Sequence, residues 1–195
     1  MQNHDMLDEG NKKPEILVFA GPNGSGKSTI TRMANIIEPY INADDIKSSS
    51  HCSDIEAAQM ADLMRNELVD KKQSFTFETV LSTDRNLKLL KRAKESGFFI
   101  RCIYVVTVDV NINVLRVKAR KESGGHDVPT DKIRARYGKA LKLIPELIDI
   151  CDICHIYDNS DKPFRIFKKR KMVTFYWENQ FWDEEKIHKL INKVK

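Results

Sequence analysis

The 195 residues are 41% hydrophobic and 31% charged, a soluble balance with enough apolar material for the core of one α/β domain. No apolar run is long enough to cross a bilayer, and the polar residues 1–13 lack the apolar stretch of a signal peptide. They read as a flexible leader to a single domain over 14–195, placed in the cytoplasm. The net charge of +5 suits an anionic ligand and is too mild to argue for nucleic acid.

Glu15 to Ala20 is a short apolar run that ends at glycines, which predicts a buried strand. A helix is expected from Lys27 to about Ile37, then a short extended piece from Tyr40 to Asn42. Asp54 is a plausible N-cap for a helix with Ala57, Met60, Ala61, Met64 and Leu68 on one face. Ser74 to Thr79 reads as a strand. Thr83 or Asp84 starts a helix that carries Leu87, Leu90 and Ala93 and stops at Gly97. Phe99 to Val108 is continuously apolar and β-branched, as in the central strand of a parallel sheet. Val110, Val114 and Val117 mark a helical face. Gly124, Gly125 and Pro129 punctuate a loop. Ile133, Tyr137, Leu141, Ile144 and Ile148 form one further helical stripe.

Ile153 to Tyr157 predicts another strand, Phe164 to Phe167 and Met172 to Trp177 a hairpin at the sheet edge, and Trp182 to Val194 a closing helix. Strands alternating with helices imply a mostly parallel sheet with helices on both faces. The basic run Lys168 to Lys171 reads as a solvated turn between the last strands, or as a polyanion contact. Cys151 and Cys154 have the spacing of a redox or zinc pair. They lie at a strand and its approach with no second pair, so buried reduced thiols are the preferred reading.

Gly21-Pro22-Asn23-Gly24-Ser25-Gly26-Lys27-Ser28 fits the phosphate-binding pattern Gly-x-x-x-x-Gly-Lys-Ser in full, and Thr29 follows it. Its place between a strand and a helix predicts that backbone N–H groups and the helix N-terminus hold a nucleoside triphosphate, ATP with Mg²⁺. Lys27 would reach the β- and γ-phosphates, and Ser28 would offer a hydroxyl to the Mg²⁺.

Ligands of open parallel sheets lie beyond the carboxyl ends of the strands, so carboxylates there are candidates for chemistry. Asp44, with Asp45 beside it, is placed to take the proton of an attacking hydroxyl or to hold Mg²⁺; the alternative is a helix cap. Glu78, with Thr79 and Ser82 on the same rim, suits substrate hydroxyls. Arg116, Arg120, Arg134 and Arg136 flank the glycine loop of a two-helix cover over about 116–137, from which arginines can close on a triphosphate. His126 in that loop is a candidate contact to phosphate or substrate, or a loop-packing residue. Asp109 is read as a helix cap rather than a metal contact.

Gly21 to Thr29, Ile41-Asn42-Ala43-Asp44, Phe77-Glu78-Thr79 with Ser82, Arg120 through Gly124-Gly125-His126-Asp127-Val128-Pro129 to Arg136-Tyr137, and Tyr157-Asp158-Asn159-Ser160 together resemble the zeta toxin family of P-loop kinases over about residues 14–160. The resemblance implies an ATP- and Mg²⁺-dependent kinase acting on a hydroxyl, with UDP-N-acetylglucosamine the first candidate substrate and an antitoxin protein as a possible partner. It makes Asp44 the base, Glu78 and Thr79 substrate-facing, and Arg120 with either Arg134 or Arg136 charge-stabilising. The competing readings are a kinase of a nucleoside, an antibiotic or an RNA end, and a nucleotide-gated binding or toxin–antitoxin module without transfer.

Overall fold

The computed structural model describes residues 13–125 and 127–192. Most of the expected leader, and His126, lie outside the described residues. A seven-stranded sheet has the order β2-β3-β1-β4-β5-β6-β7. The strands are β1 (Glu15–Ala20), β2 (Tyr40–Ile41), β3 (Phe75–Thr79), β4 (Phe99–Val106), β5 (Ile153–Asp158), β6 (Phe164–Arg170) and β7 (Val173–Tyr176). The first five pair in parallel, and β6 and β7 close the edge as antiparallel neighbours. The largely apolar β4, interrupted at Arg101, is central, between β1 and β5, because most of its residues are buried between covering elements. Building runs from β1 toward β3 and β2 on one side and later toward β4 and β5 on the other, which opens a crevice beyond the carboxyl end of β1.

The helices are α1 (Lys27–Thr31), α2 (Ala43–Ser50), α3 (Asp54–Asp70), α4 (Arg85–Glu95), α5 (Val110–Glu122), α6 (Thr130–Lys142), α7 (Ile144–Ile150) and α8 (Glu184–Ile191). The main core joins one sheet face to buried residues of α3, α4, α7 and α8, among them Ala61, Leu87, Leu90, Leu147 and Ile187. A smaller cluster on the opposite face joins Leu17, Phe19 and Val105 to Ile30. Among the described residues no helix is long and apolar enough to cross a membrane.

Several expectations change. Helix α1 stops at Thr31, not near Ile37. Ile37 N–H donates to the Thr76 hydroxyl at 2.8 Å and Thr76 N–H to Pro39 C=O at 3.0 Å, and those bonds draw the segment onto the sheet edge. The cap of α3 is Ser53, in a reciprocal capping box with Glu56, not Asp54. The inward face of α3 is Ala57, Ala61, Arg65 and Val69, whereas Met60 and Met64 are exposed. Arg65 is accommodated because Asp62 pairs with it and the Phe77 ring lies 5.1 Å below its guanidinium. Finally, the stripe from Ile133 to Ile148 is divided between α6 and α7. Pro145 begins α7, since proline suits a first turn and breaks a helix interior.

Cys102, Cys151 and Cys154 are buried free thiols, and no group of metal ligands exists among the described residues. The basic run is shifted from its expected place. Lys168, Lys169 and Arg170 belong to β6, and the turn is made at Lys171, which has φ of 56°.

Candidate nucleotide and acceptor site

The loop after β1 is shaped by glycines that no other residue could replace without displacement. Gly21 has φ of 144°, and a Cβ there would lie 2.1 Å from the Val105 carbonyl oxygen. Gly24 and Gly26 have φ of 76° and 93°, with built Cβ atoms 2.5 Å from Asn113 O and 2.1 Å from Asn159 Nδ2. The two asparagines are braces. Asn113 Nδ2 donates to Asn23 C=O at 2.6 Å, and Asn159 Nδ2 donates to Ser25 C=O at 2.8 Å. With those carbonyls held from behind, the loop keeps its close wrap, and Ser28 and Thr29 are left exposed on the first turn of α1. No acidic residue occupies that turn, so the positive end of the helix is uncompensated.

Lys27 Nζ donates to the carbonyls of Gly21 at 2.8 Å and Pro22 at 3.2 Å. Burial pulls its pKa below the ordinary lysine value. The carboxylates of Glu78 and Asp44 act in the opposite direction, and Arg120 adds to the lowering. Residues from β1's loop, α2, β3 and α5 therefore act electrostatically on one ammonium.

Asp44 sits in the first turn of α2, and its N–H donates to the Asn42 side chain at 3.0 Å. The cap is Asn42, so neither Asp44 nor Asp45 serves as one, and the helix begins three residues before the expected Ile46. The Asp44 carboxylate is exposed. Glu78 is held at the end of β3 by Thr31, whose hydroxyl donates to Oε1 at 2.8 Å, and by the Tyr40 hydroxyl. Burial, then the Glu78 charge, raises the Tyr40 pKa, which keeps that phenol a donor. Thr79 is a loop organiser: its Oγ1 accepts from Leu81 N–H at 2.9 Å and Asn86 Nδ2 at 2.8 Å. Ser82 is half-buried nearby in the chain.

Helices α5 and α6 pack through their own cluster of Val114, Val117 and Ile133. Asp109 caps α5 by accepting from Asn111 N–H at 2.8 Å. The four arginines separate by role. Arg116 donates to the carbonyls of Asn159 at 2.7 Å and Ser160 at 3.2 Å, and so clamps the loop that braces the phosphate loop. Arg134 is exposed and donates to Asn111 at 2.7 Å. Arg136 is half-buried and makes no hydrogen bond to the described residues. The stem of Arg120 crosses Gly125, where a Cβ would meet its Cγ at 2.6 Å.

The brace Asn113 and the orienting pair Thr31 and Tyr40 are the residues that reading the sequence missed, while Asn159 lay in the Tyr157 to Ser160 stretch without its bracing role. Asn113 alone left a signal, as a polar residue beside the Val110, Val114 and Val117 stripe. The residues present fit a triphosphate and its cation: a glycine cradle closed to any Cβ, an open helix N-terminus, the Ser28 hydroxyl and the Asp44 carboxylate.

The family model described as "Zeta toxin" matches residues 2–171. An uncharacterized protein of Haemophilus influenzae is 32% identical over 129 residues, spanning 63% of this chain and 92% of that protein. A chain of the AvrRxo1-ORF1:-ORF2 complex with ATP superposes with a TM-score of 0.71 at 14% identity, over 93% of this chain and 64% of that one. The PezAT chromosomal toxin–antitoxin system of Streptococcus pneumoniae contains a similar chain, with a TM-score of 0.58 at 18% identity, over 80% of this chain and 72% of that one.

Proposed function

Because the chain belongs to the zeta toxin family of P-loop kinase-like proteins, we propose that it transfers the γ-phosphate of ATP to a hydroxyl of a small substrate, with UDP-N-acetylglucosamine the first acceptor to test. The observation that carries the proposal is the glycine loop from Gly21 to Ser28, closed to any Cβ and braced by Asn113 and Asn159, with Asp44, Glu78 and Arg120 acting electrostatically on its Lys27. Lys27 and the N-terminus of α1 bind the β- and γ-phosphates. Ser28 is the side chain that would hold a Mg²⁺, which neutralises phosphate charge when bound.

Glu78, fixed by Thr31 and Tyr40, accepts hydrogen bonds from acceptor hydroxyls and orients the attacking one. As the acceptor oxygen bonds to the γ-phosphorus, its proton passes to Asp44 and the bond to the β–γ bridging oxygen breaks, leaving ADP. Arg120 and Arg136 face the charge that spreads over the transferred group. The Asp44 carboxylate is exposed, open to the approach of an acceptor hydroxyl. Two of the similar structures are of partnered systems, the AvrRxo1-ORF1:-ORF2 complex and the PezAT toxin–antitoxin system. That favours a partner protein that regulates this site.

The test is transfer from labelled ATP to UDP-N-acetylglucosamine and to a panel of nucleosides, aminoglycosides and RNA ends. Lys27→Ala is expected to lose ATP binding, and Asp44→Ala to keep binding and lose transfer. An Asp44→Ala protein that transfers at the parent rate sinks the base assignment. Tight ATP binding with no product from any acceptor supports the nucleotide-gated module instead.

A further inference from the structure

The sheet has a second chemical surface that the kinase proposal does not use. Registers place His155 opposite Lys168, Tyr157 opposite Arg165, Lys168 opposite Phe175, and Arg170 opposite Val173. Cross-strand partners share a face, so Tyr157, Phe175 and Trp177 alternate with Arg165, Lys168 and Arg170 on one side of β5 to β7. The other side is the core side, where Tyr176 reaches Glu184 of α8. Side chains on the first side remain open at β6 and β7: Phe175 is 49% and Trp177 37% exposed, and Arg165 and Lys168 are half-buried. Tyr157, also half-buried, packs with one side on the smaller core cluster. Phe175 stacks on Trp177 at 6.3 Å, and the Arg165 guanidinium lies 4.9 Å over the Trp177 ring.

The positive charge here is not neutralised from within. Among the described residues Arg165, Lys168 and Arg170 form no ion pair, whereas Arg101 at the margin is paired with Glu15. His155 registers the same field: burial first, then Arg165, Lys168 and Arg101, hold its pKa below the ordinary value. The net charge of the chain gave no argument for nucleic acid, but a total says nothing of where charges gather.

We infer that this face of β5 to β7 binds single-stranded nucleic acid, with bases stacking on Tyr157, Phe175 and Trp177 and phosphates meeting Arg165, Lys168 and Arg170. The span from β5 to β7 is two strand spacings, about 10 Å, room for two or three stacked bases on a sheet. Interleaved rings and cations are the composition that single strands recognise, since every base has a π-face and every linkage a charge. An apolar protein surface fits poorly, because it would desolvate three cations without pairing them. A duplex fits poorly, because its bases are already stacked.

The experiment is fluorescence anisotropy of the full chain with labelled oligouridine and oligothymidine of about 12 nucleotides, within the span bound by known sheet platforms. A duplex of equal length and inorganic polyphosphate serve as comparisons. Expected is binding to the single strands that weakens with salt, the log–log slope near −2 for about three phosphate contacts. Trp177→Ala should weaken it roughly five- to a hundredfold, and Trp177→Tyr should restore most of the loss. Lys168→Gln with Arg170→Gln should weaken binding and flatten the salt slope. All variants should keep the parent melting temperature and ATP affinity, because these side chains are open and none of them bonds to the phosphate loop or to Asn113 and Asn159. Tighter binding of oligouridine assigns RNA; equal binding assigns the chemistry common to both. No anisotropy change with either strand overturns the inference. So does equal binding of duplex or polyphosphate that Trp177→Ala leaves untouched.

Discussion

Gly26 and Asn159 give a double-mutant cycle whose outcome follows from two contacts. A Cβ on Gly26 would sit 2.1 Å from Asn159 Nδ2, and φ there is 93°. Gly26→Ala therefore carries a left-handed backbone penalty of about 1–2 kcal/mol. It also displaces the Asn159 amide and leaves the buried Ser25 carbonyl unpaired, a further ~1–3 kcal/mol. Asn159→Ala alone loses only that second contribution. In the double variant the clash has gone and the hydrogen bond is lost once, so the total should equal that of Gly26→Ala, about 2–5 kcal/mol. The double variant should thus be about 1–3 kcal/mol more stable than the sum of the singles predicts. Urea unfolding with a shared m-value measures all four corners. Gly97→Ala is the control: φ is again 93°, but nothing lies within 4 Å of its built Cβ, so about 1–2 kcal/mol is expected. Additivity of the Gly26 and Asn159 changes within ~0.5 kcal/mol would refute the claim that Asn159 holds the phosphate loop by this contact.

Further outcomes follow from the same geometry. Met60→Lys and Met64→Lys should each change stability by less than about 0.5 kcal/mol, while Val69→Ala should cost roughly 1–3 kcal/mol; thermal or urea unfolding compares them. Lys27 has a lowered folded pKa, so the unfolded chain binds more protons between that value and the ordinary 10.5. Stability should therefore rise with pH across that window, and Lys27→Met should remove the rise in unfolding titrations. Arg136→Ala should lower the rate of phosphoryl transfer by roughly 10²–10³, whereas Arg134→Ala, whose side chain is held by Asn111, should stay close to the parent rate. The reverse result would exchange their roles.

Much of the glycine loop and its place between β1 and α1 was legible in the sequence. The Gly21 to Ser28 pattern is local: a strand, a turn with left-handed glycines and a helix N-terminus are set by neighbouring residues, so spacing alone identifies them. The largely apolar run of β4 likewise announced a central strand. Side-chain direction was less legible. On α3, the expected stripe is right at Ala57 and Ala61, but Met60 and Met64 are exposed and Arg65 faces inward. Asp62 and the Phe77 ring compensate the Arg65 charge, and no helical period encodes those partners. On α6 and α7 one continuous stripe crosses a break that Pro145 imposes.

The sequence by itself determined the phosphate loop, the alternation of strands and helices, and Asp44 and Glu78 as carboxylates near strand ends. Only the tertiary structure decided that both act on Lys27, that Asn113 and Asn159 brace the loop from distances of 90 and 134 residues along the chain, and that Arg134 is tied to Asn111 while Arg136 is not. The physical reason is that these are contacts between elements. Pattern and propensity report the nearest few residues, whereas the facing of one element on another is fixed by the packing of the whole sheet.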